Sequence, residues 1–381
     1  MRVLSVTKST GGLAHYNTRL CARLDPACFD VHVVCLSEDN ATYAAALAAQ
    51  GIAATPMAMD RYRINPASDF RLAWRLLQHV RRARYDVIVG HGAKAGFLVR
   101  LVGRLTGAPA IYTLHSTPFL ERVQGRKAAL YRPLERFAAR LGGHVVTITH
   151  AMRDELVRCR IVAPDRVTVI HTGIVLSDFD APPPHAAACA ALGLDPARPV
   201  VGWAGRFVPQ KAPLDFVRAA ARVADAAPEV QFFMAGDGPL ADAVRAEVTR
   251  LGLNEQAVIA PWQADVPPML AAFDVYALTS HWEGLPQSLL EAMALRRAPV
   301  ATGVDGTAEV IRDGVEGYLV GAGDVEALAA RTLALVKDAA LRARIGQAAR
   351  ARVEACFTAE RMIDAWTRLL LEIAGRGGDG R

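Results

Sequence analysis

Short apolar runs of strand length alternate along this chain with longer stretches in which apolar residues recur every three or four positions. Residues 2–6 form the first run and read as a buried strand. A loop with Gly11 and Gly12 follows, then a helical pattern over 14–24. Positions 29–35, 86–91 and 110–115 read as strands, and 43–50, 67–83 and 95–105 as helices. Residues 125–141 predict a long basic helix kinked at Pro133, because proline removes one backbone donor from the helix. Runs at 144–148 and 167–170 are again strands. Alternation of this kind predicts a parallel sheet with helices on both faces.

Pro182, Pro183 and Pro184 interrupt the pattern and mark a linker. The alternation then restarts, with strands at 200–204, 230–235, 258–260, 275–278, 299–301 and 317–320. Helices fall at 213–226, 240–251, 266–272, 286–295 and 325–336, and a last amphipathic helix at 358–374. The expected fold is α/β, with two doubly wound Rossmann-like domains facing a cleft. The first covers residues 1–180 and the second 185–356, with 375–381 a flexible tail. In open sheets of this class, ligands sit beyond the carboxyl ends of the strands. The informative residues should therefore lie in strand-to-helix loops.

Composition narrows the class. The chain has 381 residues, 52% apolar and 22% charged, which is enough for two ordinary cores. The apolar run at 2–6 is too short for a signal peptide, and no run approaches the roughly 18–20 residues of a membrane span. A cytoplasmic protein is expected, with a membrane reached only through its surface. Six scattered cysteines show no metal-binding spacing and read as reduced structural thiols. Residues 1–180 hold 24 basic and 14 acidic side chains; the remainder holds 20 and 24. A basic first half points to an anionic partner, either phosphate-rich or a membrane surface. Nucleic acid fits poorly, since no repeated aromatic and basic stacking platform is present.

Five segments carry candidate chemistry. The strongest is the stretch from His281 to Ala294, in which Glu283, Gly284, Leu285 and Pro286 precede a helix bearing Glu291. Free amide groups at a helix start can hold a phosphate, and carboxylates accept paired hydrogen bonds from sugar hydroxyls. Arg206 and Lys211 share one strand-to-helix loop and suit a diphosphate. Gly11 and Gly12 let backbone approach a ligand, but no GxGxxG dinucleotide fingerprint is present. His115 and His91 stand at strand ends, and Lys94 is a phosphate candidate. Finally, Arg122, Arg126 and Lys127 open a basic amphipathic stretch suited to anionic lipid. Each segment alone also reads as ordinary structure: a turn, a core histidine or a solvated face.

The order of the segments is more specific. Glu283 and Glu291 within EGLPQSLLEAMA, Gly205-Arg206 through Lys211, Gly236-Asp-Gly-Pro239 and the stretch from Val169 to Phe179 resemble glycosyltransferase family 4 over nearly the whole chain. The resemblance implies a GT-B architecture, with the C-terminal helix crossing back to the first domain. It implies a retaining transfer of a hexose or N-acetylhexosamine from a nucleotide-sugar, without metal or other cofactor. Arg206 and Lys211 would neutralise the donor diphosphate. Glu291 would hold the ribose, Glu283 and His115 the sugar, and Gly236 would line the next strand-end turn. The Gly11-Gly12 loop would close over the diphosphate. His91 to Gly96 with Tyr112 to His115 resembles the branch that builds polysaccharide or glycan precursors on polyprenyl diphosphate, where UDP is the commonest donor nucleotide. A peripheral position on the inner membrane face follows from that branch. The rival readings are a nucleotide-sugar epimerase on the same fold and a non-catalytic sugar-nucleotide or membrane-binding module.

Overall fold

A computed structural model describes residues 1–9, 12–36, 41–59, 66–117, 128–263 and 265–378. The chain divides into two compact units, Met1–Thr172 with Glu360–Arg381, and Gly173–Ala359.

The first unit contains β1 (Arg2–Lys8), α1 (Gly12–Cys21), β2 (Asp30–Leu36), α2 (Ala41–Ala48), β3 (Ala53–Met57), α3 (Pro66–Ala83) and β4 (Val87–His91). It continues with α4 (Ala93–Thr106), β5 (Ala110–Leu114), α5 (Ala128–Arg140), β6 (His144–Thr147), α6 (His150–Arg158) and β7 (Val167–Val169). The strands form a parallel sheet in the order β3-β2-β1-β4-β5-β6-β7. Central strands covered on both faces read as continuous apolar runs, and every residue of β4 and β5 is buried. Right-handed crossovers place α3, α4 and α5 on one face and α1 and α2 on the other. Gly96 of α4 is a packing requirement: a Cβ there would lie 2.0 Å from the Tyr112 ring.

The second unit contains α7 (His185–Ala191), β8 (Val200–Ala204), α8 (Pro213–Ala226), β9 (Gln231–Ala235), α9 (Ala241–Arg250), β10 (Ala257–Ala260) and α10 (Val266–Ala271). There follow β11 (Val275–Leu278), α11 (Gln287–Ala294), β12 (Ala298–Thr302), α12 (Thr307–Val310), β13 (Tyr318–Val320), α13 (Val325–Lys337) and α14 (Ala339–Cys356). Its sheet runs β10-β9-β8-β11-β12-β13, all parallel. Trp203, Phe207, Phe216 and Phe232 anchor its core. The closing helix α15 (Ala359–Gly378) belongs to the first unit, where buried Trp366 donates from Nε1 to the Tyr16 hydroxyl at 2.7 Å.

Several boundaries differ from the sequence reading. The division falls after Thr172, not near 180 or at the prolines. The segment that follows is already held by the second unit, through an Ile174–Thr358 bridge and the Asp180–Arg350 ion pair at 2.6 Å. Strand β3 was not expected, since AATPM carries a proline; it is an edge strand, where a missing donor is tolerated. Helix α6 is short and mostly polar, and starts where Thr149 Oγ1 accepts from Met152 N at 3.1 Å. Helix α14, which the sequence reading did not single out, buries Ile345, Ala349 and Val353 beside Gly346 and Arg350; a Cβ on Gly346 would lie 2.1 Å from the Arg296 carbonyl oxygen. The expected tail at 375–381 begins as helix, through Gly378.

Helix α5 turns a charged side chain inward. Buried Glu135 accepts from Arg100 of α4 at 3.2 Å, and the Arg100 guanidinium lies 4.5 Å from the Tyr112 ring centroid. Burial raises the Glu135 carboxyl, opposed by the Arg100 charge. Glu135→Gln removes that partner and leaves a buried cation. It should lower the unfolding free energy of this unit by about 3–5 kcal/mol in a urea titration, while Arg100→Met with Glu135→Met recovers most of the loss.

Candidate functional site

At the carboxyl ends of β8 and β11, two loops of the second unit are tied together. The His281 amide donates to the Gln210 carbonyl at 2.8 Å, and Gln210 Nε2 donates to the Trp282 carbonyl at 3.0 Å. Thr279 Oγ1 donates to the Lys211 and Ala212 carbonyls at 2.8 and 3.0 Å, and accepts from Trp203 Nε1 at 3.0 Å. These bonds run from core residues directly into the loops, so strand packing sets the loop positions.

Lys211 and Glu283 meet across the junction. Lys211 Nζ is ion-paired with Glu283 Oε1, with both side chains largely buried. Ser280 Oγ donates to the same oxygen at 2.5 Å, while the Glu283 amide donates to Asp305 at 3.1 Å. Oε1 is thus occupied, and Oε2 has no hydrogen bond among the described residues. Asp305 holds a left-handed backbone with φ +42°, a conformation costly for a non-glycine residue.

Gly284, Leu285 and Pro286 lead from Glu283 into α11. Pro286 supplies no side-chain cap, so the first amide groups of the helix remain available to an anion. Glu291 lies one turn further and is half-buried. Burial raises the Tyr276 hydroxyl, and the nearby Glu291 and Glu283 charges add to it. Arg206 is exposed, with its guanidinium 3.5 Å from Gln210 Oε1. Gly236 ends β9 against this loop; a Cβ there would lie 1.9 Å from the Gly205 carbonyl oxygen. The second unit therefore gathers Arg206, Lys211, Gly236, Glu283, Gly284, Leu285, Pro286 and Glu291 at the carboxyl ends of its strands, with Arg206 exposed, Lys211 paired to Glu283 and a helix start beside them.

In the first unit, His91 and His115 end adjacent strands, with His91 Nδ1 3.4 Å from His115 Nε2. Tyr16 stands edge-on to His115 at 4.7 Å between centroids, and Trp366 lies 6.3 Å from His91. Gly12 is the first residue of α1. Gly11, Arg122, Arg126 and Lys127 lie outside the described residues. Lys94, expected to meet a phosphate, is ion-paired with Asp69 of α3 at 2.6 Å, because its place on α4 faces that neighbouring helix. A cavity of about 580 Å³ opens at the opposite edge of this sheet, beside Arg104, Pro109, His144 and Arg166. It lies away from the strand ends that carry the histidines.

The sequence reading missed Gln210, Ser280 and Asp305, which hold the loops, and Tyr16 and Trp366, which enclose the histidines. Only Ser280, three residues before Glu283, and Gln210, next to Lys211, had a local signal.

Burial holds His115 down to about 3 and His91 well below the usual histidine range. Both imidazoles are neutral at pH 7. The unfolded chain protonates them near pH ~6.5 while the fold does not, so this unit loses stability as pH falls below that point. The slope is up to about 1.4 kcal/mol per pH unit for each histidine. Thermal melts of His115→Asn should show a shallower decline between about pH 6 and 4 than the parent chain.

Comparison with known proteins agrees with this arrangement. Residues 11–173 match the Glycosyl transferase 4-like domain, and residues 198–338 match Glycosyl transferases group 1. The chain is 30% identical to alpha-maltose-1-phosphate synthase of Mycolicibacterium smegmatis, over 87% of this chain and 88% of that protein. It is 28% identical to the UDP-Gal:alpha-D-GlcNAc-diphosphoundecaprenol alpha-1,3-galactosyltransferase of Escherichia coli, over 69% of each. Its fold matches Anabaena HepE in complex with UDP and glucose, at a TM-score of 0.85 and 20% identity, covering 98% of this chain and 100% of that one. The chain belongs to glycosyltransferase family 4, hexosyl-transferring enzymes of the GT-B fold.

Proposed function

We propose that this glycosyltransferase is a retaining enzyme that takes a hexose or N-acetylhexosamine from a UDP-sugar. The acceptor is a glycan or a polyprenyl-diphosphate-linked sugar in cell-surface polysaccharide synthesis, reached at the cytoplasmic face of the membrane. The observation that carries the reading is the Lys211–Glu283 pair beside the open helix start of α11. It sets a cation for phosphate and a carboxylate for sugar hydroxyls next to each other, as the junction of a nucleotide-sugar requires. The names of the Escherichia coli relative and the Anabaena structure support UDP and a diphospholipid-linked acceptor.

In this reading, Arg206, Lys211 and the α11 amides bind the diphosphate and stabilise the charge that develops as the C1–O bond breaks. Glu291 accepts from the ribose hydroxyls and Glu283 Oε2 from the sugar. Neutral His115 is a hydrogen-bond partner of the sugar near C1. The acceptor hydroxyl forms its bond to C1 on the face the phosphate leaves, and its proton passes to the leaving phosphate oxygen. Glu283 is held by Lys211 and Ser280, and serves as an acceptor of hydrogen bonds.

Turnover followed by proton NMR tests both parts. An α-linked donor should give an α-linked product, and a β-linked first product would refute retention. Arg206→Ala should cost about 10²–10³ in kcat, as loss of one charge-stabilising donor does. Glu291→Ala should act mainly on the KM for the UDP-sugar, by about tenfold or more. Unchanged turnover in both variants would refute the site.

A further inference from the structure

Helices α3, α4 and α5 lie side by side, α3 packed on α4 and α4 on α5. Their outward residues are unusual for a protein surface. Phe70 and Trp74 stand one turn apart on α3, 71% and 52% exposed. Phe97 and Leu105 mark two turns of α4, and Leu130, Leu134 and Phe137 form an i, i+4, i+7 stripe on α5. Among the described residues of this unit, Leu371 is the one other large apolar side chain so exposed. Large apolar side chains scattered singly need no explanation, but seven on three adjacent helices do.

Helix α5 is inverted relative to a helix of a soluble protein. Its glutamate faces inward to Arg100, and Arg136 is turned to the Cys159 carbonyl at 2.7 Å. Its apolar stripe faces out, and those polar bonds keep it there. The same three helices carry ten basic residues and two acidic ones. Both acids are already matched, Asp69 by Lys94 and Glu135 by Arg100. Arg71, Arg75, Arg81, Arg82, Arg104 and Arg140 are exposed around the apolar residues.

We infer that the outer face of α3, α4 and α5 docks on an anionic lipid bilayer, with the aromatic and leucine side chains entering the headgroup layer and the arginines meeting lipid phosphates. The inference rests on the membrane-acceptor reading for its choice of occupant and adds the surface that makes the contact. A bilayer fits better than a protein partner because the positive charge is spread over the whole face and interleaved with apolar residues. Aromatic rings and arginine are the side chains that favour the membrane interface. No helix among the described residues is long and apolar enough to cross a membrane, so contact through this face would be peripheral.

The test is flotation of the full chain with phosphatidylcholine vesicles, with and without phosphatidylglycerol. Binding should require the anionic lipid and weaken with salt. Trp74→Ala with Phe137→Ala, and separately Arg71→Glu with Arg75→Glu, should each reduce partitioning about tenfold or more. Trp262→Ala, an exposed aromatic of the other unit, should leave it unchanged. Circular dichroism and UDP release on a detergent-solubilised lipid-linked acceptor should match the parent in all three variants. Equal partitioning of every variant overturns the inference, as does a dimer in light scattering that Trp74→Ala with Phe137→Ala disperses. Docking without sugar transfer would instead refute the functional reading and leave the face standing.

Discussion

The Lys211–Glu283 ion pair is the contact on which the proposed donor chemistry of the second unit rests. It joins the loops after β8 and β11, and those loops are joined to the core through Thr279 and Trp203. A cation and a carboxylate held together at a helix start satisfy each other before a ligand arrives. In the proposed reading, diphosphate beside Lys211 and a sugar hydroxyl beside Glu283 would exploit the same two charges. Asp305, whose carboxylate accepts from the Glu283 amide and whose own backbone is strained, supports the arrangement from a third loop.

The first unit meets a different constraint. Two histidines at adjacent strand ends are kept neutral by burial among Tyr16, Trp366 and one another. A neutral imidazole binds hydroxyl groups without drawing a counter-ion into the strand-end region. Its cost is an acid sensitivity that a solvated histidine would not impose. On the helical face of the same sheet, the Arg100–Glu135 pair decides which side of α5 meets solvent.

Much of this was legible in the sequence. The alternation of strand-length runs and helical stretches predicted every strand of both sheets but the edge strand β3, because the central parallel strands are apolar throughout. Glu283, Arg206 and Lys211 could be found because they stand in strand-to-helix loops, and Glu291 because it follows Glu283 at a fixed spacing on the next helix. What escaped depends on contacts distant in sequence. Trp366 is 350 positions from Tyr16, and Asp305 lies 22 beyond Glu283. Helix α14 was not singled out, because its buried face mixes Gly346 and Arg350 with Ile345, Ala349 and Val353. Lys94 read as a phosphate contact, and the packing of α3 on α4 places Asp69 against it.

The most direct measurement is a double-mutant cycle on donor turnover with Lys211→Met and Glu283→Gln. If the two groups act as one unit on the donor, each single variant loses most of kcat/KM, and the double variant loses little more than the worse single one. Losses that multiply, or a single variant with parental turnover, would contradict the account.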